Sequence, residues 1–195
     1  MSPRIGLDLP TLLDAATEMA DRQGLEAVTL ASLASKLNIR SPSLYNHVNG
    51  LPELRRQLAF KGLELLLAKI DGEVANLSGD EKLMAFCRAY LSFSREHPGL
   101  YAAIQRAPEP DDEELKREMA VVVERAVETI GAYGLQGDAA IHAVRAVRSF
   151  LHGFASLESQ GGFGIPLDLD ETFRLMVETF IAGVKTIRKS NEGTI

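Results

Sequence analysis

The chain has 195 residues, of which 46% are hydrophobic and 25% charged, and this balance excludes an intrinsically disordered protein. A formal net charge of -6 excludes a protein that binds nucleic acid over its whole surface, so any contact with DNA has to be local. Because Cys87 is the single cysteine, no disulfide can form within the chain, and we expect the reducing cytoplasm as its compartment.

The first ten residues, MSPRIGLDLP, lack the apolar centre of a signal peptide. No later segment offers the roughly 18 uninterrupted apolar residues of a membrane span, so we expect no membrane partner. Charge is divided unevenly, with seven Lys or Arg and six Asp or Glu in residues 1–61 but fourteen and twenty-one in the rest. The asymmetry allows an N-terminal DNA-binding module on an acidic body without establishing one.

Apolar residues recur at three-and-four spacing along nearly every segment, which predicts an all-α chain of about nine helices. The first helix is predicted from Leu9 to Arg22, with Gly24 as its end. Thr29 is expected to cap a short helix that reaches about Leu37. Asn38 then turns the chain in the left-handed conformation, and Ser41–Val48 forms another short helix that begins with Pro at its first turn.

Six further helices are predicted from apolar stripes and from the Pro and Gly residues between them, at about 52–74, 81–96, 100–106, 111–133, 138–158 and 169–189. The acidic run Asp111 to Glu114 is interpreted as a solvated cap, since a helix N-terminus favours negative charge. We expect residues 1–50 to form a helix-turn-helix domain and residues 51–195 a helical domain for ligand binding and dimerisation.

The last two long helices carry more than one apolar stripe, whereas a surface helix needs only one. A two-fold interface of four helices would cover the extra stripes, because an isologous contact uses the same surface twice. The residues assigned to it are Ala143, Ala146, Phe150, Gly153, Leu157, Val177, Ile181 and Val184. Burial of one of these helices within its own monomer is the alternative.

The short helix after Asn38 is too polar for a protein core, yet Leu44 and Val48 anchor it. Two short helices joined by a tight turn match the helix-turn-helix pattern. Arginine suits guanine and asparagine suits adenine in the major groove, while hydroxyls reach phosphates. The exposed face is expected to contain Arg40, Ser41, Ser43, Tyr45, Asn46 and His47, and Thr29 offers a hydroxyl and backbone N–H groups to a phosphate.

The segment Thr29 to Val48, TLASLASKLNIRSPSLYNHV, resembles the DNA-binding segment of TetR-type repressors, and PSLYNHV is the strongest part of the match. The resemblance covers about the first sixty residues. It implies that Tyr45 contacts phosphate and that the residues around it read bases, namely Ser41, Pro42, Ser43, Asn46 and His47. Leu51 departs from the family pattern, which often has a phosphate-binding lysine there, and Arg55 and Arg56 are the candidates to compensate.

The stretch FLHGF at 150–154, followed by GGFG at 161–164, resembles the WHG-type C-terminal subgroup of these regulators. TetR-like repressors bind a small molecule in the helical body and then release DNA. The side chains expected to line such a cavity are Phe86, Tyr90, Phe93, Tyr101, Met119, Phe150, His152 and Phe154. The alternative for each is packed core, because aromatic and Met residues at helical spacing usually fill an interior.

No motif for catalysis is found: the chain lacks G-x-S-x-G, a P-loop, G-x-G-x-x-G and H-E-x-x-H. Its four histidines do not have the spacing of a helical metal pair, so we expect neither a metal nor a cofactor. We therefore expect a homodimeric repressor that an unknown small-molecule effector releases from palindromic double-stranded operator DNA. A helical protein-interaction module is the other alternative, and salt-dependent binding to promoter DNA discriminates between the two.

Overall fold

The structure is a computed structural model that describes residues 8–192, with side chains as far as Thr186. The outer ends of the two expected domains, residues 1–7 and 193–195, lie outside the described residues. Within that range the chain forms helices and no strand, which confirms the all-α prediction. The elements are α1 (Leu9–Gln23), a 3₁₀-helix (Leu25–Ala27), α2 (Leu30–Lys36), a second 3₁₀-helix (Ser41–Asn46), α3 (Gly50–Val74), α4 (Gly79–Glu96), α5 (Pro98–Ile104), α6 (Glu113–Gly131), α7 (Gly137–Ser159) and α8 (Leu169–Glu192).

Local signals explain the ends of α1. Asp8 precedes the helix, and its Oδ1 accepts a hydrogen bond from the backbone N–H of Thr11 at 2.9 Å. Hydrogen bonds from Thr11, first from its side chain and next from its backbone N–H, hold the pKa of Asp8 below its ordinary value. Gly24, with a φ of +87°, ends the helix as predicted. The following 3₁₀-helix, Leu25–Ala27, was not predicted, because three residues are too few for a periodic pattern.

The chain forms two compact units. The first contains the residues up to Leu65 together with Glu96–Met119, and the second contains Leu66–Arg95 and the residues from Ala120 onward. This division differs from the expected boundary after residue 50, because α3 begins at Gly50 and its first half packs in the first unit. Leu54 and Leu58 on that half are completely buried.

The first unit holds α1 tightly against α5. A Cβ atom placed on Gly99 would lie 2.3 Å from the carbonyl carbon of Ala20, so only glycine allows the two helices to approach this closely. Asp21 adds polar contacts at the same crossing. Its Oδ1 accepts a hydrogen bond from the Gly99 N–H at 2.8 Å, and its Oδ2 lies 3.1 Å from His97 Nδ1. The helix-turn-helix therefore shares one core with α5.

The second unit has a core formed by buried residues of α4, α7 and α8, among them Phe93, Leu151 and Val177. Cys87 belongs to this core, and burial raises the pKa of its thiol, as expected for a cysteine that acts as a small hydrophobic residue. Asp80 accepts hydrogen bonds from Lys185 Nζ at 2.5 Å and from the Tyr133 hydroxyl at 3.1 Å. No helix in residues 8–192 combines the length and the hydropathy that crossing a bilayer requires.

Candidate nucleic-acid interface

A reciprocal cap holds the N-terminus of α2 in place. The Thr29 hydroxyl oxygen accepts a hydrogen bond from the Ser32 N–H at 3.0 Å, and the Ser32 hydroxyl oxygen accepts one from the Thr29 N–H at 2.9 Å. The pair satisfies backbone donors that a helix end leaves open, and it confirms Thr29 as the cap. Thr29 is exposed, but its hydroxyl already takes part in this cap, so its contact with a phosphate stays a prediction.

Asn38 turns the chain after α2. Its φ of +52° lies in the left-handed region, as predicted, and asparagine tolerates this conformation better than most residues. The N–H of Ile39 donates to the Ala34 carbonyl at 3.0 Å, and the N–H of Leu37 donates to the Leu33 carbonyl at 3.0 Å. These bonds close the end of the helix and fix the direction in which the chain continues.

The predicted second short helix is shorter and tighter than expected, a 3₁₀-helix over Ser41–Asn46. Pro42 in its first turn supplies no N–H, and short helical pieces commonly take the 3₁₀ form. Leu44 is completely buried and Val48 is 3% exposed, so these two side chains anchor the helix to the core of the first unit. We call residues 40–47 the recognition segment.

Seven of the eight residues predicted to contact DNA lie in the recognition segment and are wholly or partly accessible. Tyr45 is 60% exposed, which leaves both its ring and its hydroxyl open to a partner. Ser41 and His47 are half-buried, whereas the exposed residues are Arg40, Pro42, Ser43, Tyr45 and Asn46. The fold therefore brings these polar groups onto one continuous stretch of surface, and their contacts with DNA remain predictions.

The recognition segment lies in an acid-free stretch. No Asp or Glu occurs from Ala27 to Pro52, although the chain contains 27 acidic residues. A negatively charged phosphate backbone therefore meets no acidic side chain from this part of the chain. The total charge of residues 1–61 does not show this acid-free stretch, because that range also contains the acidic residues of α1. The charge of residues 27–52 alone does show it.

Arg55 and Arg56, the candidates to replace the lysine that is missing at the half-buried Leu51, both form ion pairs with carboxylates of the first unit. The Arg55 guanidinium donates a hydrogen bond to Glu26 at 2.8 Å. Arg56 donates to Asp112 at 2.7 and 3.2 Å and to Glu114 at 2.5 Å, and these hydrogen bonds raise the pKa of Arg56 above its ordinary value. Both guanidinium groups therefore serve the fold of the first unit.

The acidic run 111–114 is only in part the solvated cap that was expected. The Oδ1 of Asp112 accepts a hydrogen bond from the Leu115 N–H at 3.0 Å, as a cap should. The Asp112 side chain is nevertheless only 13% exposed because it pairs with Arg56. The hydrogen bond from Arg56, and next that from Leu115, holds the pKa of Asp112 below its ordinary value.

The residues predicted to line a ligand cavity are divided between the two units. Tyr101 and Met119 belong to the first unit, where both are half-buried, and the other six belong to the second. Of those six, four are buried and one, Phe150, is half-buried; the buried ones are Phe86, Tyr90, Phe93 and Phe154. His152 is exposed on α7, so the expectation that it lies inside the helical body is wrong.

Phe154 is packed core, the alternative that the sequence left open. Its ring centroid lies 5.0 Å from that of Phe163 and 5.2 Å from that of Phe173. Phe150 packs edge to face on Phe180, with ring centroids 5.2 Å apart. The contacts with Phe173 and Phe180 join α7 to α8 within the second unit.

A groove of about 760 Å³ in the second unit was not predicted. Its lining combines charged residues with apolar ones, among them Leu77, Met84 and Ile181. Several of the charged residues are paired, for example Arg174 with Glu178 at 2.5 Å. Residues of α8 line it together with residues of α4, which is distant in the sequence, so no local pattern signals the groove. No group of three or more His, Cys, Asp or Glu in residues 8–192 is arranged to hold a metal ion.

Four of the eight residues assigned to a dimer interface are buried within the single chain. They are Ala143, Val177, Ile181 and Val184, which are between 0% and 7% exposed. Their assignment to a dimer interface is corrected, because side chains that the monomer already covers offer almost no surface to a second copy. The stripe that contains them faces the core of the second unit.

The other four dimer residues lie at the surface. Ala146 is exposed, Phe150 and Gly153 are half-buried, and Leu157 is 49% exposed. On α8, Leu175 is 50% exposed but was not among the residues predicted for the interface, although its size and its position on the helix could be read from the sequence. We refer to these five exposed or half-buried residues, four on α7 and one on α8, together as the α7–α8 face.

Comparison with known proteins identifies the family. A family model described as "Tetracyclin repressor-like, C-terminal domain" matches residues 83–180. The uncharacterized HTH-type transcriptional regulator YobS of Bacillus subtilis (strain 168) is 38% identical over 185 residues, which cover 94% of this chain and 96% of YobS. The resemblance noted in the recognition segment is therefore confirmed at the level of the family, whereas the WHG-type subgroup stays a prediction.

Two solved structures share the fold. BioQ, solved with its double-stranded DNA operator, gives a TM-score of 0.68 at 22% identity, over 92% of this chain and 98% of that one. ActR of Streptomyces coelicolor, solved in complex with (S)-DNPA, gives a TM-score of 0.63 at 22% identity, again over 92% and 98%. The chain belongs to the TetR family of HTH-type transcriptional regulators.

Proposed function

We propose that the chain is a transcriptional repressor that binds a palindromic operator as a homodimer and leaves it when a small-molecule effector binds. The recognition segment carries the proposal, since its polar side chains are exposed on an acid-free stretch that Leu44 and Val48 hold in place. Helices that read the major groove combine an apolar anchor with a polar outer face in this way. BioQ, whose fold is similar, was solved with its operator DNA.

In this proposal the direct contacts with DNA come from Tyr45, Ser43 and Asn46. The Tyr45 hydroxyl and the Ser43 hydroxyl donate to phosphate oxygens, which positions the segment on the duplex. The Asn46 amide has the donor and acceptor pair that adenine presents in the major groove. Positioning and base reading thus come from neighbouring residues of one short helix.

The homodimer uses the α7–α8 face. Leu157 and Leu175 expose apolar surface there, and the small residues Ala146 and Gly153 allow a second helix to approach closely. The Phe150–Phe180 contact joins the two helices, so the surface of both is available to one partner. A two-fold dimer offers one recognition segment to each half of a palindrome.

The effector is an apolar molecule that binds among the aromatic side chains of α4 and α7. Phe86, Tyr90 and Phe93 are buried on α4, so binding requires these rings to repack. A compound that prefers the repacked dimer shifts the population away from the form that fits DNA. ActR, which has a similar fold, was solved with a small molecule bound.

Selection of bound sequences from a random pool of double-stranded DNA tests the DNA-binding part. We expect a palindromic consensus, bound with an affinity that falls as salt rises. Enrichment of no sequence, together with weak binding that is equal for all DNA, would contradict the proposal. For the effector, a compound that raises the thermal midpoint should also weaken operator binding, and a stabilising compound that leaves operator affinity unchanged would count against that role.

A further inference from the structure

Nearly every Lys and Arg side chain described in the helix-turn-helix region forms an ion pair with a carboxylate of the first unit. Among the Lys and Arg side chains of residues 8–61, five form such ion pairs, namely Arg22 and Lys36 with Glu18, Arg55 with Glu26, Arg56 with Asp112, and Lys61 with Asp14. Arg40 is the exception. It is exposed and makes no hydrogen bond or ion pair through its side chain with any part of the chain that the structure describes.

Arg40 lies directly before the 3₁₀-helix of the recognition segment. Its backbone is extended, with φ -84° and ψ 138°, and its carbonyl oxygen accepts a hydrogen bond from the Ser43 N–H at 2.9 Å. The N-terminal residues of a recognition helix are those that contact base edges. Because no acid occurs from Ala27 to Pro52, no carboxylate close in the sequence competes for the guanidinium.

We propose that Arg40 determines sequence specificity, and that each operator half-site contains a guanine whose O6 and N7 accept two N–H donors from its guanidinium. The inference rests on the proposed function. Guanine offers two acceptors side by side in the major groove, which suits the planar fork of arginine. Lysine has the same charge but no fork. The remaining contacts then come from uncharged groups, including Tyr45 and Ser43.

The test repeats the random-pool selection with the wild-type chain and with three variants: Arg40→Lys, Arg40→Ala and Arg22→Ala. The wild type should select a palindrome with an invariant guanine in each half-site. Arg40→Ala should lose that guanine and keep the other positions. Arg40→Lys should keep only a weaker preference for it, because an ammonium can donate to O6 and N7 but has no planar fork. Affinity for the wild-type operator should fall at least roughly 30-fold in Arg40→Ala, because the dimer loses one bidentate base contact in each half-site.

Arg22→Ala is the matched control, because it removes the same charge from the same unit outside the recognition segment. It should leave both the consensus and the affinity unchanged. Circular dichroism should be the same for all four chains, since both arginines are exposed. Loss of the guanine in the Arg22 variant as well would overturn the inference, because a general charge effect would then explain the result.

Three further results would overturn the inference in different ways. If Arg40→Ala weakens binding to all sequences equally and lowers the slope of log K against log salt, Arg40 contacts phosphate and the proposed function stands. If the consensus is unchanged in both Arg40 variants, Arg40 reads no base, and the proposed function again stands. If the wild type itself selects no consensus, the proposed function fails and the inference fails with it.

Discussion

The recognition segment and the last two helices differ in how well their apolar residues predict which side of the helix is buried. In the recognition segment, Leu44 is the only aliphatic residue among polar neighbours, and Val48 follows one turn later. A helix with apolar residues on a single side can pack against the core in only one orientation. In α7 and α8 two apolar stripes compete, and either one can face the core. The exposed face was therefore predictable in the first region and only half predictable in the second.

The largest effect is expected when the apolar anchor of the recognition segment is removed. Leu44→Ala should lower the free energy of unfolding by about 2–5 kcal/mol, because Leu44 is completely buried. Tyr45→Ala at the next position should change it by no more than about 0.5 kcal/mol, since Tyr45 is exposed. Urea unfolding measures both. Equal losses in the two variants would mean that Leu44 does not anchor the segment.

The second prediction sharpens the assignment of faces on α8. Leu175→Glu should convert a dimer to a monomer, because it places a charge on the α7–α8 face. Val177→Ala should leave the dimer intact and lower the free energy of unfolding by about 2 kcal/mol, because Val177 is completely buried in the single chain. Light scattering after size exclusion gives the mass. A monomer in the Val177 variant with an intact dimer in the Leu175 variant would reverse the assignment.

The third prediction concerns the ion pair between Arg56 and Asp112. Arg56 and the Leu115 N–H hold the pKa of Asp112 below its ordinary value, so ionised Asp112 stabilises the folded state. The stabilisation is complete above the unfolded pKa near 4 and is lost as the pH falls through the lower folded pKa. Asp112→Asn should therefore lower the thermal midpoint at pH 7, and the difference from wild type should shrink below about pH 4.

A difference between wild type and Asp112→Asn that is independent of pH would show that ionisation of Asp112 contributes nothing. Arg56→Gln is the companion variant. It should lower the midpoint at pH 7 and leave the DNA consensus unchanged, because Arg56 serves the fold. A changed consensus in this variant would place Arg56 among the residues that read DNA.

The smallest effect is expected from removal of a single surface oxygen atom, the hydroxyl oxygen of Tyr45. Tyr45→Phe keeps the ring and removes the hydroxyl proposed to contact phosphate. The dimer loses one such hydrogen bond in each half-site, so operator binding should weaken by about 5- to 100-fold, and the circular dichroism spectrum should be unchanged. A gel-shift titration is sensitive enough to detect this. Operator affinity equal to that of wild type would remove Tyr45 from the contacts.

Local features of the fold could be predicted because they depend on neighbours in the sequence. Gly24 ends α1, Thr29 caps α2 and Asn38 takes a positive φ, as their residue types indicate. The 3₁₀ form of the recognition helix escaped prediction, since apolar spacing in six residues cannot separate it from an α-helix. The location of the polar face was nevertheless correct, because Leu44 and Val48 alone determine it.

Features that depend on distant residues could not be predicted. Arg56 pairs with Asp112, which is 56 positions away, and Arg55 pairs with Glu26, which is 29 positions away. No local pattern links these residues, so the sequence alone left open whether the two arginines replace a phosphate-binding lysine. Burial of Val177 escaped prediction for the same reason, because which stripe of α8 faces inward depends on the helices packed against it.

The most direct test of the central claim compares the wild-type chain with the double variant Tyr45→Ala, Asn46→Ala. Fluorescence anisotropy with the selected operator gives the affinity of each, and circular dichroism shows whether both are folded. If the recognition segment is the DNA contact, the double variant should remain folded and bind at least roughly 100-fold more weakly. A folded double variant that binds the operator within about twofold of wild type would contradict this assignment of the DNA contact.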